Sequence, residues 1–380
     1  MTEPTDSALL SRRRPVVVAA LLVALALIAA ACGGDENGDQ ADASASASAS
    51  ASASEAAAED DGAGGADDEE TDTADEGAAG TREVETSFGT VELPTNPQRV
   101  LALDEYAAMN MLAVGIEPMQ VTGSYSSLSS QQILADAGVE VTEQADAFAV
   151  DFEAIAAANP DVIVVTAESA FVGSVEPLQE IAPTVIVPYT VPWRDVIGDT
   201  GELFDRNAEA DEIVAALETR IDEVSAAVEA NPYSLSILGD TFGILFAVSP
   251  EAVLSDLAEE VGIERPQAQI DGETLEGIDT VIGISTEVLD EHDADIVAVM
   301  TGVFYEEATL LEAPTFQDLS AVQEGNSVIV DGDMWFGTHP FAVYWILEDF
   351  EGLANGEGAD AIGDMDDVAE RWADYQELIG

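Results

Sequence analysis

The chain has 380 residues, with 77 Asp and Glu set against ten arginines and no lysine, for a formal net charge of −67. That length can hold two hydrophobic cores, and a surface so acidic excludes a nucleic-acid partner, because gripping a phosphate backbone depends on Lys and Arg contacts. Self-repulsion of this size also opposes the compact state unless salt screens it, which predicts adaptation to a saline exterior.

Residues 1–32 read as a targeting segment. Arg12-Arg13-Arg14 precede an apolar run, Pro15 to Ile28, that is short for a membrane span. It ends in Ala29-Ala30-Ala31 before Cys32, the only cysteine, which therefore has no internal disulfide partner. The segment resembles a bacterial lipoprotein signal, cleaved before Cys32 and lipidated there, although Ala29 stands where such signals more often carry leucine. An ordinary signal peptide or a single anchor stays open. Residues 33–80, an Ala-Ser alternation followed by Glu, Asp, Gly and Ala, offer nothing to bury and are expected to form a disordered acidic tether.

From residue 81 the pattern is that of an α/β protein. Arg82 to Val91 alternates like a strand, with Gly89-Thr90 as the expected hairpin turn. Strands are predicted at 99–103, 119–122, 162–166 and 184–187, with helices at 107–114, 153–158 and 177–182 between them. That alternation means βαβ units and a mostly parallel sheet, giving an N-terminal lobe over 81–195. Between 196 and 230 apolar residues recur near a 3.6 period, at Leu203, Ile213, Leu217, Ile221, Val224 and Val228. One long linker helix is expected there, ended by Asn231-Pro232. The βα rhythm then restarts over 231–380: strands at 234–238, 295–300 and 327–330, helices at 250–261, 314–322, 340–353 and 366–378. The fold class is α/β, two Rossmann-like lobes joined by a single long helix.

Two stretches repeat one pattern, one in each half. Asp151 to Val165 and Ser285 to Val299 each place a glutamate, Glu153 or Glu287, eight residues before an aspartate, Asp161 or Asp295, which opens an apolar run. Both glutamates lie near a helix start, where the dipole alone favours a negative charge. The alternative is that each lobe exposes one glutamate on corresponding faces. Enzymatic signatures are missing: there is no Gly-rich phosphate loop, no Gly-x-Ser-x-Gly elbow and no cysteine beyond Cys32.

Ligands of two-lobed α/β proteins sit at the carboxyl ends of the strands. By position the candidates are Tyr106, Ser124-Tyr125, Glu168-Ser169 and Trp193-Arg194 in the first half, and Asp240 to Phe242, Phe304-Tyr305 and Trp335-Phe336 with His339 in the second; foremost among them are Tyr106, Tyr125, Trp193, Arg194, Phe242, Tyr305, Trp335 and His339. Aromatics make up only 6% of the chain, so their recurrence after strands suits a bulky, partly apolar ligand, with core packing as the alternative for each. Arg194 either enters the cleft or pairs with a surface carboxylate. His339 either meets the ligand, as a cap or an axial metal ligand, or only satisfies its loop; His292 is expected to be exposed. Two distant histidines do not make a direct metal site.

The sequence from about 81 to 380 resembles the substrate-binding proteins of ABC importers that take up ferric siderophores, haem and cobalamin, the class III periplasmic binding proteins. The segments that carry it are Gly89-Thr-Val-Glu-Leu-Pro, Asn96-Pro-Gln-Arg-Val-Leu-Ala-Leu-Asp104, Leu112-Ala-Val-Gly-Ile-Glu-Pro118, Phe152-Glu-Ala-Ile with Asn159-Pro-Asp-Val-Ile163, Pro314 to Val328, and Trp335 with Leu347-Glu-Asp-Phe350. The resemblance implies no enzymatic activity and no resident cofactor, the ligand being an Fe(III)–siderophore complex, with cobalamin, haem or a ligand-presenting sensor lipoprotein as alternatives. It implies that Glu153 and Glu287 dock on a permease dimer, and that the protein is a monomer held by Cys32 to the outer face of the cytoplasmic membrane. So few basic residues favour a neutral or cationic chelate, such as a ferric hydroxamate, over a tricatecholate. The acidity itself has a direct check. The melting temperature should rise as salt goes from dilute to molar, and a flat or falling trend would remove the saline reading.

Overall fold

The computed structural model describes residues 80–380 apart from 87–88, 123–126, 143–149, 168–174, 190 and 277. Cys32, the tether, Ser124-Tyr125 and Glu168-Ser169 lie outside the described residues.

Short apolar, mostly β-branched runs build the first sheet. Val100–Ala102 (β3), Gln120–Thr122 (β4), Glu140–Thr142 (β5), Val162–Thr166 (β6) and Thr184–Val187 (β7) pair in the order β5-β4-β3-β6-β7, all parallel. Every residue of β3, β6 and β7 is buried, because helices cover both faces. Helices α1 (Glu105–Ala113), α2 (Leu128–Asp136) and α3 (Phe152–Ala158) start at Asp104, Ser127 and Asp151, whose side chains accept first-turn N–H groups. A separate hairpin pairs β1 (Thr81–Thr86) with β2 (Gly89–Pro94). Thr86 stands opposite Gly89, so Gly89-Thr90 belong to a strand and not to the turn.

The second sheet is mixed, contrary to the expectation of a mostly parallel one. β8 (Leu235–Thr241), β12 (Ile296–Thr301) and β13 (Ser327–Asp331) are parallel, but β9 (Ile244–Val248), β11 (Ile278–Gly283) and β10 (Thr274–Leu275) add antiparallel, in the order β10-β11-β9-β8-β12-β13. The cause is local. Phe242 and Gly243 take φ of 53° and 79°, the two-residue turn that returns a strand on itself.

The stretch expected to be one helix over 196–230 is two: α4 (Trp193–Phe204) and α5 (Asn207–Ala230). Asp205 breaks it at φ 55°, and Gly201 lets the two pieces cross closely, since a Cβ there would stand 2.7 Å from that of Ala210. The 24-residue α5 remains the single long helix between the sheets. The later helices are α6 (Val253–Glu260), α7 (Pro340–Ala354) and α8 (Val368–Ile379). The helix expected at 314–322 is divided into Pro314–Gln317 and Ser320–Glu324, and the segment after Ser285 is a 3₁₀ helix, Thr286–His292.

Three clusters of buried apolar residues hold the fold. One backs the first sheet with Leu101, Ile155 and Ile163, and another backs the second with Leu238, Leu289 and Val297. The third is continuous through both lobes: it contains Ile213, Leu217, Ile221 and Val224 of α5 and most of α7. The repeated Glu–Asp unit maps onto these layers. Ile155 and Leu289, each two residues after its glutamate, fill the outer cores, which leaves Glu153 and Glu287 exposed. Asp161 accepts the backbone N–H groups of Gln98 (2.8 Å) and Arg99 (3.0 Å) just ahead of β3. Asp295 accepts N–H and Oγ of Ser234, both at 2.8 Å, just ahead of β8. The aspartates therefore do the same work in both lobes, tying the start of one central strand to the next.

These ties share no partner across the lobes. Asp161→Ala and Asp295→Ala should each cost about 1–2 kcal/mol of unfolding free energy, with a double variant additive to within about 0.5 kcal/mol in denaturant titrations.

Candidate functional site

The carboxyl ends of the strands bring one set of aromatic rings together. Tyr106 lies in the first turn of α1, just past β3, and its ring is 5.1 Å from that of Tyr189, which follows β7. From the other lobe, Tyr305 follows β12 and stacks on Phe336, beyond β13, at 6.0 Å and 7°. Phe246 closes on both rings at 6.2 and 6.3 Å. The Tyr305 ring covers Gly332, where a Cβ would meet Cδ2 at 2.5 Å, so only glycine leaves it room.

The lobes touch here. Tyr189 Oη donates to the carbonyl of Phe336 at 2.8 Å, and Ser129 Oγ donates to Asp331 Oδ2 at 2.8 Å. The same Asp331 caps the single-turn helix Gly332–Trp335 by accepting the N–H groups of Asp333 and Met334. Glu105, buried beside Tyr106, accepts the N–H of Ser127 at 2.7 Å. Asp333 differs from both. It is 4% exposed, and its carboxylate receives only a long contact, 3.4 Å, from the N–H of Val303. Burial, with Asp331 and Glu105 adding repulsion, pushes its carboxyl up to about 8. Burial likewise pushes the phenols of Tyr106 and Tyr305 well above their ordinary value, so near neutral pH they are protonated donors and not phenolate ligands. Asp104, at the end of β3, accepts both N–H and Oγ of Thr166 and fixes the start of α1 against β6; burial still holds it up at about 6.

Of the residues expected at the cleft, Tyr106 and Tyr305 are in this cluster. Phe242 is 60% exposed at the β8–β9 turn, 6.0 Å from Phe304, on the rim of the same end of the lobe. Three others lie elsewhere. Trp335 is fully buried and its Nε1 donates to Asp349 at 2.8 Å, so it belongs to the core. Trp193 is 2% exposed in the shared core. Arg194 lies over its ring at 4.2 Å and is engaged by Glu218 of α5 (3.0 Å) and Glu260 of α6 (2.7 Å), a surface clamp between helices. His339 is buried, 6.2 Å from Tyr106, and its Nδ1 accepts the N–H of Ala342 to cap α7. Burial lowers it to about 3, and its Nε2 has no partner. His292, expected to be exposed, is 3% exposed, because the 3₁₀ helix turns it inward. Sequence reasoning passed over Tyr189 and Asp333, although the rule that found Tyr106, a position just past a strand, applies to both. Among the described residues no group of three or more His, Cys, Asp or Glu is arranged to hold a metal ion.

Two α/β lobes around a common helix, with aromatic rings of both lobes gathered at their strand ends, are the layout of a two-lobed binding protein. The periplasmic binding protein model, Peripla_BP_2, matches residues 110–334, more than half of the chain. The chain belongs to that family, which is one of solute-binding proteins and not of enzymes. It is 25% identical over 277 residues to the ferric-anguibactin-binding protein FatB of Vibrio anguillarum, covering 67% of this chain and 81% of the relative. It is 23% identical over 289 residues to the "Probable siderophore-binding lipoprotein YfiY" of Bacillus subtilis, covering 71% and 87%. The solved structure of the siderophore-binding protein BauB, bound to two molecules of acinetobactin and ferric iron, superposes with a TM-score of 0.58 at 20% identity over 72% of this chain and 99% of that one.

The Asp333 carboxyl makes a stability prediction. In the folded state its value is about 8 against an ordinary 3.8, so between these values the folded protein holds a proton that the unfolded chain has lost. Stability at this site therefore falls as pH rises through that window. Asp333→Asn should match the parent near the acid end and exceed it by a few kcal/mol, on the order of the linkage energy, at the alkaline end. Denaturant titrations at fixed salt check this, and a difference independent of pH would contradict it.

Proposed function

We propose that this protein is a lipid-anchored substrate-binding protein that captures a ferric siderophore between its lobes and delivers it to an ABC-transporter permease for iron uptake. The observation that carries the reading is the inter-lobe wall of Tyr106, Tyr189, Tyr305 and Phe336 at the strand ends. Flat rings of this kind bury the apolar periphery of a chelate at little entropic cost, and protonated phenols donate to its oxygen atoms. The names of FatB, YfiY and BauB point to the same ligand class. A haem or cobalamin ligated by His339 is disfavoured, because its Nδ1 accepts the N–H of Ala342, which leaves the proton of the neutral ring on Nε2, the one nitrogen without a partner.

In this reading Glu153 and Glu287 are the permease contacts. Each is exposed two residues before a core anchor of its own lobe, so the rigid scaffold fixes the separation of the two carboxylates. Exposed ion pairs are individually weak, so the pair confers register and association rate more than affinity. Cys32 carries the lipid, residues 33–80 are the tether, and the lobes stand as a monomer on the outer face of the cytoplasmic membrane.

Calorimetric titration in high salt with ferric hydroxamates, ferric catecholates, haem and cobalamin tests the ligand class. At least one ferric chelate should bind at micromolar concentration or below, and failure of all of them would end the siderophore reading. The double variant Glu153→Ala/Glu287→Ala should keep that affinity and lose uptake in cells carrying the permease; lost binding would give these glutamates a different role.

A further inference from the structure

Every cation of residues 80–380 can be accounted for. There is no lysine, and the seven arginines are all engaged by protein groups. Arg82 and Arg99 donate to carbonyls at the ends of α4 and α3, where the helix dipole favours them. Arg206 faces Glu209, Arg194 holds Glu218 and Glu260, Arg220 holds Glu348 and Glu351, and Arg371 holds the buried Asp349. Arg265 is bound by Gln269 and the carbonyl of Val248. The two histidines are buried and kept neutral.

Negative groups, by contrast, converge on the cleft. Glu105 comes from one lobe, Asp331 and Asp333 from the other, and the charges acting on Asp333 are Asp331 and Glu105. Asp331 is satisfied by its cap and by Ser129, whereas Asp333 has only the long Val303 contact. A further buried acidic group at the same ends lacks partners: both carboxylate oxygens of Asp240 are unpaired, in a residue whose carbonyl accepts the N–H of Glu306, next to Tyr305.

We infer that the cleft selects a ferric chelate of net positive charge, with Asp333 as the subsite for a protonated amine on the chelate. This rests on the siderophore reading and narrows it. Without a cation beside it the buried Asp333 keeps its proton; an ammonium brought in by the ligand takes that proton's place and forms a charge-assisted hydrogen bond with the carboxylate. An anionic chelate would bury like charges together with no arginine free to compensate them. Tyr106 and Tyr305 then supply the flat walls, and Asp333 the charge recognition between them.

Three probes test it on the intact protein in high salt: the ferric complex of a linear trihydroxamate bearing one primary amine, the same complex with that amine acetylated, and an anionic ferric tricatecholate. The amine-bearing complex should bind roughly ten- to a hundredfold more tightly than its acetylated form, the range of one charge-assisted hydrogen bond, and the tricatecholate should bind weakest. In Asp333→Asn the ratio between the two hydroxamate complexes should fall toward one, whatever happens to their common affinity. Equal binding of the two by the unaltered protein, or preference for the tricatecholate, overturns the inference and leaves siderophore binding standing. No binding of any of the three chelates, with haem or cobalamin bound instead, takes both down.

Discussion

The architecture depends on a core that does not stop at the boundary between the lobes. Helix α5, about 36 Å long at 1.5 Å per residue, places Ile213, Leu217, Ile221 and Val224 in the same apolar cluster as strands of both sheets. Helix α7 lies along it, buried over nearly its whole length, and Arg220 of α5 fastens the two through Glu348 and Glu351. Separating the lobes widely would expose part of that cluster, at about 25 cal/mol for each Å² of apolar surface. The cleft is thus set by packing far behind it. Two of the contacts across its mouth, Tyr189 to Phe336 and Ser129 to Asp331, are single hydrogen bonds, each worth only about 1 kcal/mol net, and can yield to a ligand while the shared core stays in place.

What was legible in the sequence follows from what periodicity measures. Buried parallel strands are short β-branched runs, and β3, β6, β8, β12 and β13 fall close to where those runs stand. The duplicated Glu–Asp unit was visible because one constraint acts twice: an outer-core anchor two residues after the glutamate, and an aspartate that ties neighbouring strands. The antiparallel β9, β10 and β11 escaped, because their signal is the turn at Phe242-Gly243, and a phenylalanine at positive φ is a poor advertisement for one. The break at Asp205 escaped for a similar reason: the apolar stripe runs through it without a change of period.

The cleft was legible by position but not by direction. Trp335 and Phe336 are adjacent, and the position rule nominates both. They leave a single helical turn roughly 100° apart, so Trp335 points into the core toward Asp349 while Phe336 lies under Tyr305. No composition argument separates them, since both are large and apolar. Arg194 failed differently. With 60 acidic residues around seven arginines from residue 81 onward, any arginine is surrounded by candidate partners, and Glu218 and Glu260 are simply closer than the cleft.

That imbalance decides how charge can work at the site. The field of the whole chain attracts cations, but at molar salt it fades within about 3 Å of the surface, so long-range steering gives no selectivity at high salt. Buried charges are screened far less, because counterions cannot follow them inside. Asp333, 4% exposed, is such a group, and the proposed ammonium subsite would keep its preference for a cation where the acidic surface has lost its own. On the proposed reading the acidic surface and the acidic cleft act separately: salt screens the field of the first and leaves the buried groups of the second largely unscreened.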